Sequence, residues 1–182
     1  MRRRIALALA LLALAVLASA LPQRRVQQHL ALGEAPLCRP GAALGRVRVA
    51  AEFAWRADQK EPALREAIAA RALRASFADL PCARAVEFAD DAAELAGVDT
   101  LVVVRVHELG PNLIATLIPP QWIGWTEVDV LVRAVRPADG AVLLDAHASR
   151  EQGGPFVLRG IAPLEAELVA ALAPLIGGAA VR

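Results

Sequence analysis

Three small groups of polar residues have the types and spacing from which chemistry could be built. His107-Glu108 opens like the His-Glu-x-x-His helix of zinc proteases, where two histidines one turn apart hold the metal and the glutamate acts as general base. Position 111 is Pro111, no second histidine follows, and the surrounding residues read as a strand end, so the ligand set is not completed. Asp145, His147 and Ser149 are spaced two apart, which on a strand places all three on one face. They match an acyl-transfer triad only in composition, because Ser149 lacks the Gly-x-Ser-x-Gly turn that presents a nucleophile beside backbone donors. Carboxylates also pair at Asp90-Asp91, which suits a helix N-cap, and at Glu127 with Asp129, an outward row to be balanced by Arg133 or by Arg46 and Arg48 on a neighbouring strand. Gly153-Gly154 lacks the lysine and helix of a phosphate-cradling loop. No catalytic residue, metal site or cofactor is therefore expected.

The strongest binding feature is apolar. Leu113 to Trp125 places Ile118, Trp122, Ile123 and Trp125 in a region broken by Pro119-Pro120, and two of the chain's seven aromatic residues fall within four positions. Two readings stand side by side. The stretch folds back to cap its own core, or it offers Ile118, Trp122, Ile123 and Trp125 to a partner protein or a membrane interface, where such side chains concentrate binding energy.

The elements that must position these groups follow from hydrophobic periodicity. Val47, Val49, Ala51, Phe53 and Trp55 alternate with Arg46, Arg48, Ala50, Glu52 and Ala54, the pattern of a half-buried strand. Pro62 opens a helix in which Leu64, Ile68, Leu73, Phe77 and Leu80 recur until Pro81. Ala85 to Phe88 forms a short strand, Asp90-Asp91 caps a short helix ending at Gly97, and Leu101 to His107 is a central strand. Leu113 to Ile118 reads as a further strand or ribbon. Thr126 to Arg136 and Val142 to Ser149 alternate around Pro137-Ala138-Asp139-Gly140 as an antiparallel hairpin, with Val128, Val130, Val132, Ala134, Val142, Leu144, Ala146 and Ala148 inward. After a flexible Gly153-Gly154-Pro155 link, Ile161, Leu164, Leu168, Leu172 and Leu175 mark one face of a closing helix. This order predicts an α+β fold, a two-layer α/β sandwich whose mixed, largely antiparallel sheet carries its helices on one face.

The chain's beginning sets the compartment. Arg2-Arg3-Arg4, an apolar run from Ile5 to Ala18 and the small triplet Ala18-Ser19-Ala20 read as a secretory signal peptide over 1–20, with the mature chain starting near Leu21. Leu21 stands where a lipoprotein needs cysteine, so the protein is expected to be periplasmic and unlipidated. Residues 21–45, with three prolines and a Gln-rich stretch, read as an irregular arm, and 46–178 as a single domain. Removing the leader leaves 17 basic against 19 acidic residues, a balance that offers nucleic acid no basic surface. Cys38 and Cys82 would meet an oxidising compartment and pair, closing a loop worth roughly 4 kcal/mol in chain entropy; free thiols or a metal site are the rival readings.

The layout from Arg46 to Ile176 resembles small bacterial envelope proteins: auxiliary components of ABC-type lipid transporters, curli-secretion-like domains and TolB amino-terminal-like domains. The resemblance is borne by the strand and helix Val47 to Leu80, the strand DTLVVVRVH from Asp99, the hairpin VDVLVRAVRPADGAVLLDA from Val128, and the terminal LEAELVAALAPLI. It implies a non-enzymatic binding or adaptor role in envelope transport or assembly, with an envelope protein or membrane-associated complex as partner. A carrier of lipid or another apolar ligand, held in a groove between helices and sheet, is the alternative. A small secreted hydrolase using His107 and His147 is a third reading.

Overall fold

The structure, a computed structural model, describes residues 2–20, 23–30, 36–57, 59, 61–89, 96–112, 124–154 and 164–177. In chain order these form α1 (Arg2–Ala20), β1 (Gln23–Leu30), β2 (Gly45–Phe53), α2 (Pro62–Phe77), β3 (Ala83–Ala89), β4 (Thr100–Asn112), β5 (Gly124–Arg136), β6 (Ala141–Gly154) and α3 (Leu164–Ile176). The strands make one sheet in the order β1-β6-β5-β4-β2-β3. β2 lies parallel to β3 and β4, and the remaining pairs are antiparallel. The parallel β2/β3 pair requires a crossover, which α2 supplies.

Alternation in the sequence becomes two unlike sheet faces. Register aligns Val49 with Val102, Val102 with Ala134, and Ala134 with Leu144, so these residues share one face. That face is sealed: Val47, Val49, Val102, Val104, Val106, Val128, Val130, Val132, Leu144 and Ala146 are at most 2% exposed. They pack in one cluster with Ile68, Leu73 and Phe77 of α2 and Leu164, Leu168, Leu172 and Leu175 of α3. This is the α+β architecture expected, with both packed helices on one face. The opposite face carries Arg46, Arg48, Glu52, Arg105, Asp129, Arg133 and His147.

Several local expectations are corrected. The arm expected to be irregular contains β1, whose eight residues all pair with β6; sheet pairing organises a polar stretch that periodicity alone did not mark. Gly153 and Gly154, expected to be a flexible link, continue β6 and pair with Trp125 and Gly124. Val142 is 36% exposed, because the register slips between Ala134 and Val135 and rotates the hairpin end. Leu64 is 45% exposed; the inward stripe of α2 runs through Arg65, Ile68, Ala69, Ala72, Leu73 and Phe77. The short helix after Asp90-Asp91 and the strand at Leu113 to Ile118 fall mostly or wholly outside the described residues, as does Ile161.

Cys38 and Cys82 form a disulfide with their Cα atoms 5.4 Å apart. The same segment is stitched to the end of α3, where Leu37 N–H donates to Leu175 O (2.8 Å) and Cys38 N–H to Ile176 O (3.2 Å). Gly177 makes this possible. It has φ +89°, and a Cβ there would stand 2.6 Å from the carbonyl oxygen of Cys38. Gly177→Ala is expected to cost about 1–3 kcal/mol through both strain and the backbone clash. An unchanged urea midpoint would rule out this close approach.

Candidate functional site

Strand lengths define where a partner can be met. β4 pairs with β2 only from Thr100 to Val106, yet it pairs with β5 as far as Asn112. β6 continues alongside to Gly154, and β1 borders it from Gln23 to Leu30. Four strands therefore run on past the end of β2 as a ribbon. The connection 113–123 joins β4 to β5 at its tip, at the opposite end from the 137–140 turn. Ile118, Trp122 and Ile123 belong to that connection and lie outside the described residues. Trp125 is in β5, its backbone opposite Asn112 on one side and Gly153 on the other.

Beneath the tip the ribbon is braced by charge. A bulge at His107 shifts register between Val106 and Glu108, bringing Glu108 opposite Asp129. The Glu108 carboxylate is buried, with its residue 4% exposed. It forms an ion pair with Arg56, which follows β2 and is held by Arg56 N–H to His107 O at 3.3 Å. The other Arg56 nitrogen lies 3.5 Å from Glu127 and 3.7 Å from Asp129. Asp129 in turn meets His147 Nε2 at 2.9 Å. One guanidinium thus gathers three carboxylates across β4 and β5. On the sealed side Gln59 bonds both the N–H and the carbonyl of Leu109, and the buried Arg65 donates to the same carbonyl. Burial lowers the pKa of Arg65, with Glu61 and Glu108 opposing the shift, but a guanidinium remains charged at neutral pH.

Glu127 and Asp129 lie on the face expected of them, but the cation that meets them is Arg56 rather than Arg133, Arg46 or Arg48. Arg46 and Arg48 bind Glu87 of β3 at 3.0 and 3.4 Å. The hydrogen bonds from Arg46 and then Arg48 hold the Glu87 carboxyl below its ordinary pKa. The balance for Glu127 and Asp129 comes from Arg56, which sits just beyond the alternating stretch and so outside any period-two argument. Asp145, His147 and Ser149 do share a face. The carboxylate that meets His147 belongs to Asp129 on the neighbouring strand, a pairing visible only once register is known. His107 Nδ1 lies 3.3 Å from Ala54 O. Among the described residues, no three His, Cys, Asp or Glu side chains are grouped to hold a metal. The arrangement is a set of mutually engaged charges that stiffens the base of the ribbon.

No protein-family model and no curated protein matches the chain. Among solved structures it is similar to the PelC dodecamer from Paraburkholderia phytofirmans, at 20% identity over 84% of this chain and 98% of that one, with a TM-score of 0.49. It is also similar to protein XCC0632 from Xanthomonas campestris, at 15% identity over 79% and 85% of the two chains, TM-score 0.42. Lipoprotein GNA1162 from Neisseria meningitidis gives 16% identity over 71% and 94%, TM-score 0.43.

Proposed function

We propose that this protein is a non-enzymatic adaptor of the bacterial cell envelope, acting in the periplasm and holding a protein partner of a transport or assembly complex through the tip of its ribbon. The extension of β4, β5, β6 and β1 past the end of β2 is the observation that supports this reading most directly. The sequence between β4 and β5 holds isoleucines at 118 and 123 and a tryptophan at 122, followed by Trp125 in β5, and the strand ends that bracket it belong to that four-stranded extension. Apolar anchors on a stiff support lose little conformational freedom on docking, which favours their use as contact points.

The periplasmic assignment draws on two further features. The disulfide suits an oxidising compartment. The apolar helix α1 leaves Leu7, Leu9, Leu11, Leu12 and Leu14 at least 60% exposed, as expected of a leader that is not part of the folded core. Among the described residues, no helix is long and apolar enough to cross a membrane. We take α1 as cleaved after Ala20 and the mature chain as unlipidated.

The test is a photocrosslinking amino acid at position 122, activated in cells and read by mass spectrometry. Adducts to one or a few envelope proteins are the expected result. Crosslinks confined to the chain itself would make Trp122 a cap on its own core and defeat the proposal.

A further inference from the structure

At the β3 edge of the sheet, away from the ribbon, the two layers part. A half-open cleft of about 440 Å³ lies between α2 and strands β2 and β3. Its origin is in the residues that face each other. α2 presents Ala63, Ala67 and Ala70 to it, while the strands present Val49, Phe53 and Phe88. Elsewhere the same helix fills its interface, with Ile68 at 3% exposure and Phe77 at 0%. Over the cleft the alanines are too short to reach the sheet, and Phe88 is left 36% exposed although its register partner Val49 is buried.

The two ends of the cleft differ in charge. At one end Phe53 stacks on Trp55 with ring centroids 5.3 Å apart, and Trp55 Nε1–H donates to Glu66 Oε1 at 3.2 Å. The Glu66 carboxylate is thereby engaged. At the other end, eight residues or about 12 Å along the helix, stands Arg74, exposed and without a side-chain partner among the described residues. Its neighbours on α2 are both committed, Arg71 to Glu165 at 2.9 Å and Arg65 to the Leu109 carbonyl.

We propose that this cleft binds a single-chain anionic amphiphile, a fatty acid in its simplest form. The chain lies over Ala67 and Ala70 between the rings of Phe53 and Phe88, and the anionic head meets the Arg74 guanidinium. The volume falls in the low range of small-ligand sites and suits one chain rather than two. Between its ends the wall is built from apolar side chains, so a polar ligand would give up its hydrogen bonds to water without replacement. The lining holds two charges, Glu66 and Arg74, about 12 Å apart along the helix, and at the Arg74 end the charge is positive, which selects an anionic head there. This site is separate from the ribbon tip, and it stands or falls independently of the adaptor reading.

The experiment uses the protein purified from the periplasm and compares dodecanoate with dodecanol, each displacing the dye anilinonaphthalenesulfonate. Dodecanoate is expected to bind with one-to-one stoichiometry, at least about tenfold more tightly than dodecanol. Arg74→Gln should reduce dodecanoate to the affinity of dodecanol. Ala67→Trp, which fills the cleft from an exposed position, should abolish binding of both while leaving the circular dichroism spectrum and urea midpoint unchanged. Absence of dodecanoate binding would overturn the proposal. So would equal affinity for the alcohol, or binding that survives in a folded Ala67→Trp protein. If apolar peptide displaces the dye and dodecanoate does not, the cleft is a protein-docking groove and the proposal is also wrong.

Discussion

Glu167→Ala is expected to destabilise the fold by about 3–5 kcal/mol, a large part of the stability of a domain this size. Glu167 is the single carboxylate that α3 turns inward, and it is 8% exposed. Its Oε2 accepts a bond from Arg150 Nε at 2.6 Å, and Arg150 on β6 is itself 7% exposed. Both charges have left water, so the pair itself adds little net stability. Removing one partner is different, because it leaves a guanidinium buried between α3 and the sheet without its counter-charge. Contrast Glu165, two residues earlier and so on another side of the helix, which pairs with Arg71 while both are substantially exposed; cutting that bridge should cost less than about 1 kcal/mol. Urea unfolding of Glu167→Ala measures the loss, and the double variant Glu167→Ala/Arg150→Met separates its causes. The double variant should recover most of the stability, since no orphaned charge remains. A single-variant loss under about 1 kcal/mol would mean that Arg150 escapes to solvent.

That buried pair was not legible in the sequence, and the reason is general to this chain. Periodicity identifies which residues face inward when they are apolar. Val128, Val130, Val132 and Ala134 on β5, and Leu164, Leu168, Leu172 and Leu175 on α3, all occupy the positions expected, because burying them is what forms the two layers. A charged residue on the inward face breaks the pattern that would reveal it. Arg150 shares a face with Ala148 and Ala146 because β6 runs on to Gly154, past Ser149 where the apolar alternation stops marking a strand.

Pairing partners account for the remaining differences. The central strand expected to end at His107 continues through Gly110-Pro111 to Asn112 as β4. β2 has already ended there, so β4 has a neighbour on one side only among the described strands, and proline is tolerated where no ladder donor is required. β1 has Val26 and Leu30 as its only aliphatic residues in a run of Gln, Arg and His, too few to mark a strand by alternation. It is organised by the exposed edge of β6. The candidate site was legible as a composition, two tryptophans beside isoleucines. That the strands bracketing it extend past β2 as a four-stranded ribbon depends on strand lengths and register, which no local pattern encodes.

The disulfide carries the second large effect. Removing it as Cys38→Ala/Cys82→Ala is expected to lower stability by about 4 kcal/mol, from the chain entropy released when a loop with 44 residues of separation is reopened. The consequence should reach beyond the two residues. Cys38 joins the segment before β2 to the turn after α2, and that turn also gives Cys82 O to Leu44 N–H at 2.9 Å. Through Leu37 and Cys38 the same segment bonds the last carbonyls of α3. One covalent link therefore ties the ends of both packed helices to the entry of β2, and its loss should first loosen the α3 terminus. Hydrogen exchange should show faster exchange at Leu37 and Cys38 N–H than at the β4 and β5 amides, on which the core rests. Reducing the native protein should reproduce the destabilisation of the double variant. Agreement between the two assigns the effect to the bond. A reduced protein as stable as the oxidised one, with only the double variant weakened, would assign it to lost packing around Leu37 and Leu80 and would refute the loop-entropy argument.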